Sequence, residues 1–324
     1  MTTTSRGRRN ALVAVMASAA LLLTACGGAD AGNESTSTGS ESGGSLSGEI
    51  QIDGSSTVAP LSEAAAELFQ EENSDVKVVV GTSGTGGGFE KFCAGETDIS
   101  DASRPIKDEE ATICDEAGVK YEEIVVANDG LAVVVNTEND WAECLTVEQL
   151  NMMWGPDSKA DSWNDIDPSF PDEKLTLFGP GTDSGTFDYF TDEINGEEGA
   201  SRTDFQPSED DNVIVQGVQA SKGATGYFGL SYVEENPDAL KAVQVDGGEG
   251  CVAPSTETVL DGSYTPLGRP LFIYAKEEIV AQPHGLAFLE FYIENSDAIA
   301  EQALYVPLSD EQKSESAAKI ESLS

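Results

Sequence analysis

The sequence predicts an α/β fold with largely parallel sheets, and three observations lead to this prediction. From residue 49 onwards, short runs rich in β-branched residues alternate with stretches of helical periodicity. This alternation is typical of βαβ units, in which the strands pair in parallel. Junctions rich in glycine, serine and threonine separate several strands from the helices that follow them. Residues 49–324 are long enough for one large domain or two moderate ones.

The predicted elements follow one another at short intervals. The predicted strands are residues 50–53, 76–80, 98–100, 121–126, 131–136, 175–178, 227–230, 242–245 and 271–275. The predicted helices are residues 58–72, 87–94, 108–117, 147–153, 184–194, 213–221, 286–293 and 311–321. Residues 155–173, rich in Asp, Pro, Ser and Trp, are predicted to form a loop.

Residues 1–25 have the pattern of a bacterial lipoprotein signal peptide. Three arginines among the first nine residues precede a short apolar run, residues 11–23, which is too short to span a bilayer permanently. The run ends in Leu23-Thr24-Ala25-Cys26, which resembles a lipobox, the motif in which the Cys thiol is diacylated before cleavage. The alternative is an ordinary signal peptide with a chance Cys. We therefore expect an exported protein that is anchored to the outer face of the cell membrane by a lipidated Cys26.

Residues 26–48 are predicted to be the lipidated Cys followed by a flexible tether. They are mostly Gly, Ser, Thr, Ala and Glu, a composition that cannot bury a core. A flexible coil of this length reaches roughly 25 Å. Such a tether would hold a folded domain off the membrane without fixing its orientation.

The chain is strongly acidic, with a formal net charge of −42 at pH 7. Such a surface repels nucleic acid and anionic lipid, so we expect no nucleic-acid partner. The charge does not exclude an anionic ligand, because surface charges are screened beyond about 8–10 Å in physiological salt. Solubility is the simplest interpretation of this charge.

Four cysteines follow the signal-peptide pattern, at Cys93, Cys114, Cys144 and Cys251. An even number in an exported protein favours two disulfides. We expect the pairs Cys93–Cys114 and Cys144–Cys251, although three pairings are possible and the sequence alone does not choose among them. The spacing matches no zinc motif and the chain has a single histidine, so we expect no metal site and no cofactor.

Three strand-to-helix junctions consist almost entirely of small hydroxyl and glycine residues. They are DGSSTVAPL (residues 53–61), GTSGTGGGF (residues 81–89) and GPGTDSGTF (residues 179–187). A helix N-terminus offers unpaired backbone N–H groups and a partial positive charge. Added hydroxyls make such a junction a compact anion site, and glycine lets the backbone approach the ligand. One such junction is also explained by ordinary helix capping, whereas three in one chain favour an anion-binding function.

Three other interpretations of these segments fit the sequence less well. A P-loop needs Lys followed by Ser or Thr after its last glycines, and here Phe89 follows. A dinucleotide fingerprint fits only in outline and suits an exported protein poorly. A serine hydrolase with Ser184 as nucleophile needs a histidine base, and His284 is the only histidine in the chain. His284 is more simply a helix-start or surface residue.

Arg104 is a candidate for binding an anion. It lies in DISDASRPI (residues 98–106), among small residues, in a chain with only 17 lysines and arginines. A guanidinium can bind two oxygens of a tetrahedral anion at once. The alternative is a surface salt bridge to one of the many carboxylates.

Taken together, these segments resemble the phosphate-binding proteins of the phosphate-specific ABC transporter, a family of type II solute-binding proteins. The resemblance covers residues 49–310, and KGATGYFG (residues 222–229) supports it. It implies a monomeric binding protein rather than an enzyme, which captures inorganic phosphate and delivers it to membrane-embedded ABC permease subunits. It also implies two α/β lobes joined by two crossovers, with the ligand cleft between them. Lobe I would comprise residues 49–128 and 268–324, and lobe II residues 129–267.

The resemblance further implies which residues bind phosphate. Hydroxyl and backbone groups of the three junctions would donate to the ion. These residues are Ser56, Thr57, Val58, Ser83, Gly84, Thr85, Gly86, Ser184, Gly185 and Thr186.

The sequence departs from the family pattern at two positions. Many members have an arginine where this chain has Pro180, and Arg104 is a candidate to supply that charge from the opposite lobe. Many members also have an Asp that accepts a phosphate proton, and Ser103 stands at that position as a further expected contact. Asp101 and Asp183 are candidates for the acceptor. Another tetrahedral oxyanion, such as sulfate or molybdate, therefore remains an alternative ligand.

Overall fold

A computed structural model describes residues 45–182, 184–235 and 238–323. The predicted signal peptide, Cys26 and nearly all of the predicted tether lie outside these residues, as does Asp183. Within the described ranges, no helix is both long enough and apolar enough to cross a membrane.

The strands and helices alternate along the chain. The strands are β1 (Gly48–Gly54), β2 (Val76–Gly81), β3 (Ile99–Ala102), β4 (Tyr121–Val135), β5 (Cys144–Thr146), β6 (Thr176–Gly179), β7 (Gln206–Pro207), β8 (Ala224–Gly229), β9 (Lys241–Ala242), β10 (Gln244–Asp246), β11 (Cys251–Val252) and β12 (Gly268–Lys276). The helices are α1 (Ala59–Glu72), α2 (Gly84–Cys93), α3 (Asp108–Ala117), α4 (Val147–Trp154), α5 (Trp163–Ile166), α6 (Gly185–Asn195), α7 (Asp211–Gln219), α8 (Leu230–Glu235), α9 (Thr256–Leu260), α10 (Glu277–Val280), α11 (Pro283–Glu294), α12 (Ser296–Ala303) and α13 (Asp310–Leu323).

One nine-stranded sheet connects the whole described domain. Its order is β2-β1-β3-β12-β4-β8-β6-β7, with β9 also paired to β4, and β11-β10-β5 form a separate small sheet. Pairing is parallel at both ends of the large sheet but antiparallel around β12 and β4. The prediction of largely parallel sheets is therefore wrong in the middle. The reason is that β4 leaves the first half of the sheet and β12 returns to it, so the two strands run in opposite directions.

Strand β4 is one continuous element where two strands were predicted. Asn128-Asp129-Gly130 has the composition of a turn, yet these residues pair with Pro270, Arg269 and Gly268 of β12. Hydrogen bonds to a partner strand outweigh the local turn preference here, because nearly all buried backbone groups must be paired. The fifteen-residue strand thus runs unbroken between the two halves of the molecule.

The buried apolar residues separate into two large clusters and one smaller one. The first large cluster joins residues 50–127 with residues 271–320, and the second is built mainly from residues 131–267. The small cluster contains Phe89, Phe92 and Tyr274 and lies between α2, α3 and the sheet. The change from one large cluster to the other occurs along β4 and at the start of β12, as expected for two lobes that share two crossing strands.

Both expected disulfides are present, which confirms the pairing. Cys93–Cys114 joins α2 to α3 with a Cα–Cα distance of 4.5 Å, and Cys144–Cys251 joins β5 to β11 with a distance of 6.0 Å.

The boundaries of some elements differ from the predicted ones. Helix α2 begins at Gly84, three residues earlier than predicted, so Gly84, Thr85 and Gly86 are helical rather than part of a loop. The predicted loop 155–173 contains the short helix α5. Trp163 anchors this helix, because its indole is fully buried and donates a 2.9 Å hydrogen bond to the Gly223 carbonyl.

Candidate functional site

A cavity of about 600 Å³ lies between the two large clusters, and we call it the cleft. It collects residues from both sequence halves, most of them hydroxyl, glycine or charged residues. Its lining comprises Ser55, Ser56, Thr57, Ser83, Gly84, Thr85, Gly86, Ser103, Arg104, Lys107, Asp188, Tyr189, Asp192, Gly196, Glu197, Glu198 and Arg269. In the described part of the chain, no group of His, Cys, Asp or Glu could hold a metal ion.

The first junction forms a tight turn between β1 and α1. The backbone N–H of Ser55 donates to the Asp101 carbonyl at 2.9 Å, and the N–H of Thr57 donates to the Ser55 hydroxyl at 3.2 Å. Ser55 and Thr57 are buried, while Ser56 is exposed at the cleft. Among the described residues no side chain caps α1, so its N-terminal end keeps its partial positive charge.

The second junction connects β2 to α2. The Ser83 hydroxyl donates to the Asp53 carboxylate at 2.5 Å, so its proton is directed away from the cleft. The Thr85 and Ser103 hydroxyls lie 3.1 Å apart on the cleft wall. Helix α2 also lacks a side-chain cap within the described ranges. Backbone N–H groups at the start of α2 are therefore the principal donors of this junction.

The third junction lies against the first rather than along the cleft wall. Ser184 caps α6, because its hydroxyl accepts from the Thr186 N–H at 3.2 Å. Gly185 is in close contact with Thr57, since a Cβ on Gly185 would lie 2.6 Å from Thr57 Oγ1. Ser184, Gly185 and Thr186 do not belong to the cleft lining. The next turn of α6 supplies the residues that do, namely Asp188, Tyr189 and Asp192.

Arg104 lies in the cleft wall, but its charge is largely compensated. Its guanidinium donates two 2.8 Å hydrogen bonds to the Glu110 carboxylate and a third, of 3.1 Å, to the Pro105 carbonyl. Arg104 therefore forms a salt bridge with Glu110 at the edge of the cleft.

Arg269 is a second cleft arginine, which the sequence analysis missed. Its guanidinium lies 3.3 Å from the centre of the Tyr189 ring and 3.5 Å from the Asp129 carboxylate. The side chain is 16% exposed, and its Nε finds no hydrogen-bond partner among the described residues. A mostly buried guanidinium with unused donors is suited to bind an oxyanion. The signal in the sequence was an arginine two residues before a predicted strand, in a chain poor in basic residues.

Asp101 lies beneath the cleft and is fully buried. One oxygen accepts a 2.8 Å hydrogen bond from Ser62, and the other has no partner within the described part of the chain. Burial raises the pKa of Asp101 to about 8, because the charged form is desolvated. Asp101 is not among the residues that line the cleft, and its role as proton acceptor stays a prediction.

Asp188 is the carboxylate that does line the cleft. It lies close to the exposed Ser56 hydroxyl and to the charge of Arg269, both of which lower its pKa. Burial, with repulsion from Glu198, raises the pKa of Asp188 to about 6. The signal for it was its spacing, because a residue four positions after Ser184 lies on the same face of α6.

The hydrolase alternative fails on geometry. His284 packs against Gly48 at the beginning of β1, since a Cβ on Gly48 would lie 2.5 Å from its imidazole. Gly185 contacts Thr57, which follows the other end of β1. A seven-residue strand is about 20 Å long, so His284 is far beyond hydrogen-bonding distance of Ser184.

This chain is similar to known proteins over most of its length. The family described as a PBP superfamily domain matches residues 39–296. Protein SphX of Synechococcus elongatus is 46% identical over 262 residues, which cover 80% of this chain and 77% of that protein. The phosphate-binding protein PstS of Staphylococcus saprophyticus is 41% identical over 307 residues, which cover 94% of this chain and 92% of that protein.

Solved structures share the fold. A crystal structure described as that of a possible phosphate binding protein from Planctomyces limnophilus superimposes with a TM-score of 0.83 at 46% identity, covering 86% of this chain and 99% of that one. An ABC-type phosphate transport receptor from Vibrio cholerae superimposes with a TM-score of 0.62 at 22% identity, covering 80% of this chain and all of that one. The second likeness is one of fold alone.

Proposed function

This chain belongs to the PBP superfamily, among the phosphate-binding proteins of ABC transporters, and from that premise we propose that it captures inorganic phosphate outside the cytoplasm and delivers it to ABC permease subunits. It is a binding protein and not an enzyme. The observation that carries the proposal is the cleft, where two uncapped helix N-termini, several hydroxyls and two arginines meet. Such a site can surround an oxyanion with hydrogen-bond donors, which offsets the cost of removing it from water.

The donors come from several elements. The start of α2 offers backbone N–H groups, and Ser56, Thr85 and Ser103 offer hydroxyls from the lining. Helix α1 contributes its partial positive charge, because the N–H groups of Ala59 and Leu61 already donate to backbone carbonyls. Thr57 lines the cleft and lies against Gly185 where the two lobes touch, so closure around an ion would depend on this contact. Val58, as the residue before α1, would contribute only through its backbone.

Arg269 is the residue that we propose to supply the positive charge. Pro180 stands where many members of the family have an arginine, and Arg104 is already paired with Glu110. Arg269 reaches the cleft from β12 with unused donors, and the Tyr189 ring fixes the plane of its guanidinium. Arg104 would then contribute long-range attraction from the rim.

Asp188 is the residue that we propose to select for phosphate over sulfate. Phosphate at neutral pH retains at least one proton, which a carboxylate can accept, whereas sulfate has none. A carboxylate facing an unprotonated sulfate oxygen in a partly desolvated site costs several kcal/mol. Asp188 lines the cleft and lies close to the Ser56 hydroxyl, which also lines it.

We propose residues 49–128 and 268–324 as lobe I and residues 129–267 as lobe II. The division of the large apolar clusters near residues 128–130 and 267–271 supports these boundaries. Closure would occur by bending of β4 and β12, and the closed surface would be the one that the permease recognises. Anchoring through a diacylated Cys26 and a monomeric state complete the proposal, and the lipobox pattern supports the first of these.

A calorimetric titration of the full-length protein, freed of carried-over phosphate, tests this function. We expect one-to-one binding of phosphate and no heat from sulfate under the same conditions. Equal affinity for sulfate would instead assign a broader oxyanion binder, and silence toward phosphate would refute the proposal. Displacement of bound phosphate by an equal concentration of sulfate would refute the selectivity assigned to Asp188.

A further inference from the structure

Helix α2, which forms one wall of the cleft, is intrinsically weak. Four of its first five residues are glycine, and glycine destabilises a helix because it loses more backbone freedom on folding than any other residue. These glycines cannot simply be replaced: a Cβ on Gly88 would lie 2.5 Å from the Cα of Gly54. The close approach of α2 to β1 thus requires a segment with poor helical stability, and other contacts must hold it in place.

The contacts that hold α2 lie at its C-terminal half. Phe89 and Phe92 are fully buried, and the Phe89 ring packs edge-on against Tyr274 at 4.8 Å. Lys91 pairs with Asp53 at 2.6 Å. The last residue of the helix, Cys93, is covalently bonded to Cys114. The disulfide is therefore the strongest of these contacts.

Cys114 belongs to α3, which organises the facing part of the cleft wall. The first turn of α3 contains Glu110, which binds the Arg104 guanidinium through both oxygens and accepts from the Lys107 N–H at 2.8 Å. The chain between the two cysteines also contains Ser103, which contacts Thr85 of α2. One bond thus fixes α2 relative to three other cleft residues, Ser103, Arg104 and Lys107.

The second disulfide provides an internal contrast. Cys144–Cys251 joins two strands of the small three-stranded sheet, and none of the described residues of β5, β10 or β11 line the cleft. It closes a sequence separation of 107 residues, against 21 for Cys93–Cys114. Because a longer loop restricts the unfolded chain more strongly, Cys144–Cys251 should contribute more to global stability.

We propose that the Cys93–Cys114 disulfide is a positioning element of the anion site, which holds the start of α2 at the distance from Ser103 and Arg104 that ligand binding requires. The inference rests on the proposed function and assigns different roles to the two disulfides. Cys93–Cys114 increases the affinity for phosphate, and Cys144–Cys251 stabilises the fold of the second lobe.

Two double variants of the full-length protein test this division. Phosphate affinity is measured by calorimetry, the Tm without ligand by calorimetric scanning, and the opening of the first turn of α2 by amide hydrogen exchange. For Cys93→Ala/Cys114→Ala we expect phosphate binding weakened by about tenfold or more and faster exchange at Gly86–Gly88, since a loosened loop must be ordered on binding. For Cys144→Ala/Cys251→Ala we expect a larger fall in Tm and an unchanged Kd.

If both disulfides acted only by stabilising the fold, the variant with the lower Tm would also bind phosphate more weakly. Unchanged phosphate affinity in Cys93→Ala/Cys114→Ala, with the wild type binding normally, would overturn this inference alone. A wild type that does not bind phosphate would overturn both it and the proposed function. If the alanine pair fails to unfold cooperatively, Cys93→Ala/Cys114→Val restores most of the lost volume, and the same criteria apply to it.

Discussion

Replacing Arg269 by glutamine should separate the binding role of this residue from its structural role. Arg269 lines the cleft and also pairs with Asp129, whose side chain is only 4% exposed. The Arg269→Gln variant removes the positive charge from the cleft and leaves a buried carboxylate without its partner. Both affinity and stability should therefore fall, for different reasons.

The two losses can be estimated from the contacts. A hydrogen bond to a charged group contributes about 1.5–3 kcal/mol, so phosphate binding should weaken by about 10- to 150-fold. Breaking a buried ion pair costs about 3–5 kcal/mol of stability. The 3.5 Å separation between Arg269 and Asp129 is long for such a pair, so we expect the lower end, about 3 kcal/mol.

The loss of stability should depend on pH. Burial already raises the pKa of Asp129 against the opposing effect of Arg269, and removing Arg269 should raise it further. A carboxyl group whose pKa is higher in the folded than in the unfolded state loses stability as pH rises and regains it as pH falls. The defect of Arg269→Gln should therefore be smaller at pH 5 than at pH 8.

Urea denaturation and calorimetric titration measure the two effects separately, and the double variant Arg269→Gln/Asp129→Asn is the decisive control. Removing the orphaned carboxylate should restore most of the stability but none of the phosphate affinity. Arg104→Gln serves as the comparison in the rim, with an affinity loss below about fivefold, as expected for a charge that is already paired. Wild-type phosphate affinity in the double variant would refute the assignment of Arg269 to the ion.

Three further predictions follow from the cleft and its surroundings. Asp188→Asn should lose discrimination against sulfate. In the wild type, sulfate should bind better as pH falls below about 6, because the protonated Asp188 carboxyl can then donate a hydrogen bond. Competition titrations at pH 5 and 7.5 measure both effects, and an unchanged preference for phosphate would contradict them. Gly185→Ala places a methyl group 2.6 Å from Thr57 Oγ1, and overpacking of about 1–3 kcal/mol should weaken phosphate binding about 5- to 150-fold. Small-angle scattering should then show less compaction with phosphate, whereas Gly229→Ala, which has nothing within 4 Å, should behave as the wild type. Asp101→Asn should gain stability relative to the wild type as pH rises from 5 to 8.5. Folded Asp101 keeps its proton up to a pKa of about 8, whereas the unfolded chain releases it at a lower pH, so the wild type loses stability over this range. An equal difference in unfolding free energy between the two proteins at both pH values, measured by urea denaturation, would refute the raised pKa of Asp101.

The sequence by itself determined the class of the fold and the chemistry of the site. The alternation of strands and helices predicted α/β architecture, and the small-residue junctions predicted anion binding, because both depend on local patterns of a few adjacent residues. The first two junctions do line the cleft. The disulfide pairing was expected but not deducible, since it depends on which chain segments become neighbours.

Only the tertiary structure decided which charged residues reach the cleft. Arg269 lies more than 80 residues after Asp188 in the sequence, and they meet only because β12 returns antiparallel to β4. Asp101 and Ser103 are two positions apart, yet Asp101 is buried against Ser62 while Ser103 contacts Thr85. Strand β3 ends at Ala102, so the alternation of a strand does not extend to Ser103. Contacts between distant segments, rather than local preferences, therefore select the residues that face the ligand.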